Sequence, residues 1–498
     1  MARVRQKQGD AAICSVPSDT RPGLFHCRRW TPRLFAPVDI ASLIYFRVSF
    51  GALMVWELCR YLSGGRADSL WIKPEFHFKY YGFAWVQPPP GNWMYALLGF
   101  LLIAAAGITI GWCYRICAVA FAVGFTWLFL IDQAEYLNHF YLICLLASVS
   151  TLLPLNRRLA VDCSRKPALR SDIAPAWTLW LLRAQIAIVY FYGGIAKLNA
   201  DWLRGEPVRT WLVSLAGRAG FGAWLGSEWT VQLISYGGLL FDLLIVPLLL
   251  WRKTRAVAFL LAMVFHLTNN WLFSIGVFPW LSIAMTALFF PADWPRRFAS
   301  YLAEFWLERP KIKRAPLRNA DQPGFRYRGA VAAFLGIYLG WQLLMPLRHY
   351  LYPGFVSWTE EGHRFSWHMM LRSKKAQTRF YVLNPETREV WALNSLAYLS
   401  LRQREKMNGH PDMILQFAHH VAELMRKTNC GNIHVHVITR AELNSRPPAL
   451  LIDPDVNLAA TPRTLAPANW ILPLDNKHTN PPWLRSTAPP ADDGEPGA

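Results

Sequence analysis

The 498 residues contain no phosphate-cradling GxxxxGK[ST] loop, no strand-following GxGxxG and no GxSxG elbow. Nucleotide-dependent and serine-hydrolase chemistries therefore have no sequence support. HExxH and paired CxxC spacings are also missing. His434 and His436 alternate on a strand-like stretch, and His419 and His420 lie on a helix-like one; surface histidines are the plainer reading, and no metal is expected. Cysteine is sparse at eight residues. Cys14, Cys27, Cys113, Cys117 and Cys163 fall on one side of the apolar segments or at its edge, and Cys144 falls inside one. Only Cys59 and Cys430 share the opposite side, so at most one disulfide is available there, and two unrelated thiols fit as well. Acidic residues are few, 32 against 52 Lys and Arg, for a formal charge of +20. A nucleic-acid partner would require a basic face with interleaved aromatics on a soluble module, and none is found.

What the chain has is apolar length. Hydrophobic residues make up 53% of it, 24 residues are Trp, and the long apolar runs occupy the first two-thirds. A helix needs roughly 20 apolar residues to span a bilayer. Nine segments meet or approach that: Val38–Leu62, Trp93–Trp112, Ile116–Leu130, Tyr136–Leu155, Ala174–Leu198, Val231–Trp251, Ala256–Trp271, Ser274–Phe290 and Ala330–Leu347. If residues 1–34 are cytoplasmic and sides alternate, the cytoplasmic segments hold 25 Lys and Arg and the opposite loops 6. That is the positive-inside pattern, so the charge is first a topology signal. Residues 1–34 are polar and basic, unlike a signal peptide, and the first span is expected to act as an uncleaved anchor.

The expected architecture is an α-helical polytopic membrane domain of about eight to nine transmembrane helices over residues 35–347, then a non-cytoplasmic α+β domain over residues 348–479. In the second domain, Phe380–Leu383 and Glu389–Leu393 flank Asn384-Pro385-Glu386-Thr387 as a hairpin. Pro411–Lys427 has a helical apolar pattern, and Ile433–Ile438 alternates like a strand. Residues 480–498, rich in Pro and acidic residues, are expected to be disordered.

Ionisable residues inside spans are rare and are functional candidates. Lys197 ends the stripe Arg183, Ile186, Tyr190, Gly193, Lys197 on one helical face, where Gly193 and Gly194 allow a ligand or helix to approach closely. A snorkelling lysine fits the same position. His139 follows Asn138, and His266 shares a face with Asn269 and Asn270. Each histidine alone reads as a satisfied core residue, but the three clusters converge on one leaflet, which favours a site. Arg47, Arg183 and Asp242 read as buried charge pairing that fixes helix order, with the arginine that meets Asp242 left open by spacing.

Tyr190–Trp202 resembles the catalytic-lysine segment of the vitamin K-dependent γ-glutamyl carboxylases. Asn138-His139-Phe140-Tyr141-Leu142, Phe265–Gly276, Ser366-Trp367-His368-Met369-Met370 and Asp453-Pro454-Asp455-Val456-Asn457 resemble further blocks of that family. The blocks keep family order from about residue 37 to about residue 475, and the membrane part is similar to a wider group of bacterial membrane proteins. The resemblance implies an enzyme that couples oxygenation of a reduced vitamin K naphthohydroquinone by O2 to addition of CO2 at a protein glutamate. It makes Lys197 and His139 catalytic, places Asn138, His266, Tyr190 and Asn269 at the cofactor, and puts Trp367, Met369 and Met370 in the peptide-substrate region. A lysine kept uncharged by burial can accept the hydroquinone proton. His368 stands where the vertebrate pattern has an acidic residue, and Arg372 and Lys374 replace a His and an Arg. Quinone oxidation is therefore better supported than carboxylation. The alternatives are a quinone epoxidase that does not carboxylate and a non-catalytic membrane protein binding a lipid or partner. The membrane is the plasma membrane if the chain is bacterial and the endoplasmic reticulum if eukaryotic; the oligomeric state is not given by the sequence.

Overall fold

A computed structural model describes residues 31–219, 223–273, 275–307, 327–428 and 432–476. Among them, apolar helices follow in chain order: α1 (Ala41–Leu62), α2 (Asn92–Ile110), α3 (Tyr114–Leu130), α4 (Asn138–Ser150), α5 (Ala176–Ala196), α6 (Glu228–Leu250), α7 (Arg255–Phe273), α8 (Phe278–Thr286) and α9 (Arg328–Leu344). Six of them, α1, α2, α5, α6, α7 and α9 with its 3-10 extension to Leu351, are long and apolar enough to cross a membrane. Of the others, α3 begins two residues before the expected Ile116–Leu130, whereas α4 and α8 are shorter than expected. The 13 residues of α4 rise about 20 Å, against a hydrocarbon core of roughly 30 Å. Asp132 explains the shortening: its carboxylate accepts from Ala134 N and turns the chain through a 3-10 stretch, so α4 starts only at Asn138. Two further helices, Val208–Ala219 and Trp294–Leu307, were not anticipated.

Small residues set the helix packing. Gly51 lets the backbone of α1 approach Thr109 of α2, and Gly194 of α5 sits against Leu243 of α6. The expected pairing of an arginine with Asp242 does not occur. Arg47 donates to the carbonyls of Leu155 (2.9 Å), Arg158 (3.2 Å) and Leu159. Arg183 donates to those of Leu288 (2.7 Å) and Phe290 (2.9 Å). Both guanidiniums satisfy carbonyls freed where the chain leaves a helix, which α-helical bonding alone cannot do.

After α9 the chain builds a four-stranded antiparallel sheet, order β2-β1-β3-β4, from β1 (Lys374–Leu383), β2 (Val390–Leu393), β3 (His434–Leu443) and β4 (Ala449–Leu450). The hairpin register pairs Leu383 with Val390, and Asn384 N bonds Glu389 O across its turn. Helix α10 (Leu401–Asn408) carries a Ser400/Gln403 capping box. Helix α11 (Pro411–Lys427) packs Met413, Phe417 and Val421 into a core shared with Phe380, Val382, Val435 and Val437. The membrane half enters the same core through Phe78 and Ala134. Asp132 fixes the junction, accepting from Gln403 Nε2 at 2.8 Å and lying 3.1 Å from His77 Nδ1. Arg446 and Asn444 hold Asp201 at a second point. Cys59 is an exposed free thiol; its expected partner Cys430 lies outside the described residues, as do residues 1–30 and 480–498.

Candidate active site

Lys197 caps the C-terminus of α5 and is 6% exposed. Its Nζ donates to Gly193 O at 3.1 Å, lies 5.3 Å from the Trp202 ring centre, and forms an ion pair with Asp242 of α6. Gly193 makes room for this pair, because a Cβ there would lie 3.3 Å from both Asp242 Oδ2 and Met369 Cε. The pair borders a largely apolar cavity of about 340 Å³ between α5, α6 and α7, closed by Trp211 and Leu215 of the helix Val208–Ala219 and by Met369 and Met370. Further along α5, Tyr190 Oη lies 2.6 Å from Nε2 of the buried His266, whose Nδ1 is itself buried and has no hydrogen-bond partner among the described residues. Ile186 and Asn269 also line this space. Of the anticipated stripe, Arg183 alone turns elsewhere, to the carbonyls after α8.

Asn138 and His139 do not join that cavity. They line a second one, of about 280 Å³, between the start of α4 and the C-terminal domain. Tyr136 donates to Asn138 Oδ1 at 2.9 Å, and Asn138 Nδ2 donates to His368 O at 2.9 Å. His139 stacks on Phe278 at 5.6 Å, and His266 meets the same ring edge-on at 5.9 Å. Ile275, Phe278, Met369 and Met370 border both cavities and form the wall between them. Trp367 lines neither; it is 1% exposed and lies 5.0 Å from the Tyr141 ring. Phe365, Trp367 and Met370 all have left-handed backbone, at φ 64°, 58° and 50°, so the side chains here do not alternate as in a strand. Non-glycine residues in that region are strained and tend to occur at functional sites.

The second cavity is basic. Arg364, Arg372, Lys406, His363, His368 and His410 surround it. Burial, with His349 and Arg372 near, pushes His368 down to about 3. Burial likewise drives His363 and His410 well below the ordinary imidazole range. These rings are neutral, and the positive charge rests on the other three side chains. Buried Glu360 engages Arg372 at 2.5 Å and Lys374 at 3.4 Å. Burial lowers Lys374 to about 8 despite that carboxylate. Among the described residues, Glu360 pairs with Arg372 and Lys374 but not with Arg364 or Lys406. Sequence reasoning missed Glu360, His363, Arg364, Lys406 and His410, which lie outside apolar segments where a charge stands out. It noted Asp242 but not its partner. Among the described residues no group of three His, Cys, Asp or Glu is arranged to hold a metal.

Apolar helices of spanning length, joined to a sheet-containing C-terminal domain, define a multi-pass membrane protein. Residues 35–294 match the HTTM domain, and residues 327–477 match the lumenal domain of vitamin K-dependent gamma-carboxylase. The chain belongs to the HTTM family and, with both domains in this order, is a protein of the vitamin K-dependent carboxylase family whose C-terminal domain is non-cytoplasmic. No solved structure matches it.

Proposed function

We propose that this protein oxygenates a reduced vitamin K naphthohydroquinone and uses that reaction to carboxylate protein glutamate. The observation that carries the proposal is the buried Lys197–Asp242 pair bordering an apolar cavity that shares a wall with a basic one. The residues fit the cofactor: the first cavity falls in the volume range of small-molecule sites, and its largely apolar lining includes a few polar groups, Lys197, His266 and Asn269. When bound, the hydroquinone and O2 supply the strong base needed to remove a glutamate γ-proton before CO2 adds. Lys197 and Asp242 act as one unit that takes the hydroquinone proton. Tyr190, His266 and Asn269 orient the ring, and Phe278 and Met369 keep water from the space between the cavities. Arg364, Arg372 and Lys406 hold the glutamate carboxylate, with Asn138 and His139 at the wall facing it. On this reading Trp367 supports Met369 and Met370 from behind. The N-terminus is cytoplasmic, and the glutamate substrate and membrane lipid approach from the opposite leaflet.

One observation favours epoxidation without carboxylation: Arg372 and Lys374, where the chain departs from the vertebrate pattern, are both engaged by Glu360. One assay separates the readings. Purified protein in lipid receives reduced vitamin K, a glutamate-containing peptide and labelled bicarbonate, and epoxide and bound label are counted together. Both products support the full reaction, epoxide alone supports the second reading, and neither product leaves a binding protein without catalysis.

A further inference from the structure

The helix Trp294–Leu307 lines neither of the two cavities. At 3.6 residues per turn, Trp294, Phe298, Tyr301 and Leu302 share one side of it, and Arg296, Arg297, Ser300 and Glu304 share another. Its ties to the bundle are made just before it begins and in its first turn. Ala292 O accepts from Ser42 N at 3.1 Å and from Ser42 Oγ at 2.9 Å, at the start of α1. Arg296 reaches inward, with Nε 2.9 Å from Asp39 Oδ1 and Nη2 2.9 Å from Asp172 Oδ1. Asp39 precedes α1 and Asp172 precedes α5, so this clamp fixes the helix at the end of the bundle where α1 begins. The Trp294 ring meets Tyr45 of α1 edge-on at 4.8 Å. Beyond that turn the apolar side is uncovered: Phe298 is 55% exposed, Tyr301 65% and Leu302 38%. A helix on a soluble domain does the reverse, turning its apolar side to the core and its charges outward.

Two observations point to what covers that side. The first is continuity. Phe298 lies one turn beyond Trp294, with ring centres 6.4 Å apart, and Trp294 leads through Tyr45 to Val48, which is exposed on a helix of spanning length. The exposed side chains of Trp294–Leu307 extend the apolar flank that α1 presents to lipid. The second is length. Its 14 residues rise about 21 Å, short of a hydrocarbon core of roughly 30 Å, so the helix cannot cross. A helix with one apolar and one charged side, held at the end of a span, meets the requirements of a helix lying in the membrane plane. We propose that Trp294–Leu307 is such an interfacial helix: Phe298, Tyr301 and Leu302 enter the acyl chains of the leaflet where α1 begins, and Arg297, Ser300 and Glu304 face headgroups and water. The partner is phospholipid, and a second copy of the chain is the competing occupant. Residues 295–307 fall between the two matched domains, and nothing in this placement depends on the proposed reaction.

The test reads depth with nitroxide labels. The full chain carries one substitution at a time, Phe298→Cys, Tyr301→Cys, Leu302→Cys, Arg297→Cys, Ser300→Cys or Glu304→Cys, and is spin-labelled in phosphatidylcholine nanodiscs wide enough for two copies. The signal of the labelled unsubstituted chain, which reports Cys59 and the other native thiols, is subtracted. Paramagnetic resonance then measures collision with oxygen, which concentrates among acyl chains, and with a water-soluble nickel chelate. The oxygen-to-nickel ratio should be several-fold higher at the first three positions than at the last three. Equal nickel access at all six positions would place the helix in water and overturn the assignment. Low access to both reagents at the three apolar positions would show protein there, a second copy of the chain, and would overturn it as well. Phe298→Asp with Tyr301→Asp alters no span and neither cavity, and should raise nickel access at Leu302→Cys to the level of Ser300→Cys. An unchanged ratio in that background would show that these side chains do not seat the helix in lipid, against the proposal.

Discussion

Lys197 and Asp242 are 6% and 5% exposed, so each is the other's main compensation for leaving water. Removing one partner of a buried pair costs about 3–5 kcal/mol, whereas replacing both with apolar groups can be nearly neutral. Asp242→Leu should therefore lower the melting temperature sharply, and Lys197→Met with Asp242→Leu should restore most of it; additive losses in thermal melts would show that the pair is not coupled. Function separates the roles further. Lys197→Ala should abolish single-turnover epoxide formation, with small added amines restoring part of it. Lys197→Arg should also be inactive, because arginine keeps its proton; near-normal activity in that variant would leave Lys197 as an anchor only. Lys197, Tyr190 and His266 were visible in the sequence because polar groups stand out in apolar segments. The partner of Asp242 was not, since pairing between helices depends on packing and leaves no spacing to read. That Trp367 lines neither cavity while Met369 and Met370 line both was not legible, because left-handed backbone at Phe365, Trp367 and Met370 gives the side chains no regular alternation.

Among the elements, α11 was legible from end to end because a proline opens it and its apolar face is periodic. The irregular stretch from Glu360 to Arg372 has no such periodicity, yet it supplies much of the basic cavity. That stretch has a pH signature. His368 is held at about 3, against about 6.5 in an unfolded chain. Between those values the unfolded state binds more protons, so stability rises with pH. The contribution is complete above the unfolded value and is lost as pH falls toward the folded one; His363 and His410 act in the same direction. The melting temperature should fall as pH drops below about 7, and His368→Asn should flatten part of that fall. An unaltered slope in the variant would remove His368 from the account.

At the scale of the whole molecule, the distribution of basic residues predicts that the N-terminus and the C-terminal domain face opposite sides of the membrane. Reporter fusions at the two ends should give opposite signals; matching signals would mean that one of α3, α4 or α8 does not cross. The division into a helical membrane half and a mixed second half was legible from composition, but the junction was not, because Asp132 meets Gln403, and Asp201 meets Arg446, only after both halves fold. That junction has a consequence for how such a protein can be shortened. Met369 and Met370 belong to the second half yet complete the wall of a cavity whose amine belongs to the first. A chain ending before residue 345 would still contain Lys197 and Asp242 but would lack the Met369 and Met370 part of the wall beside them. On the proposed function the cavity is complete only when both halves are present in one chain.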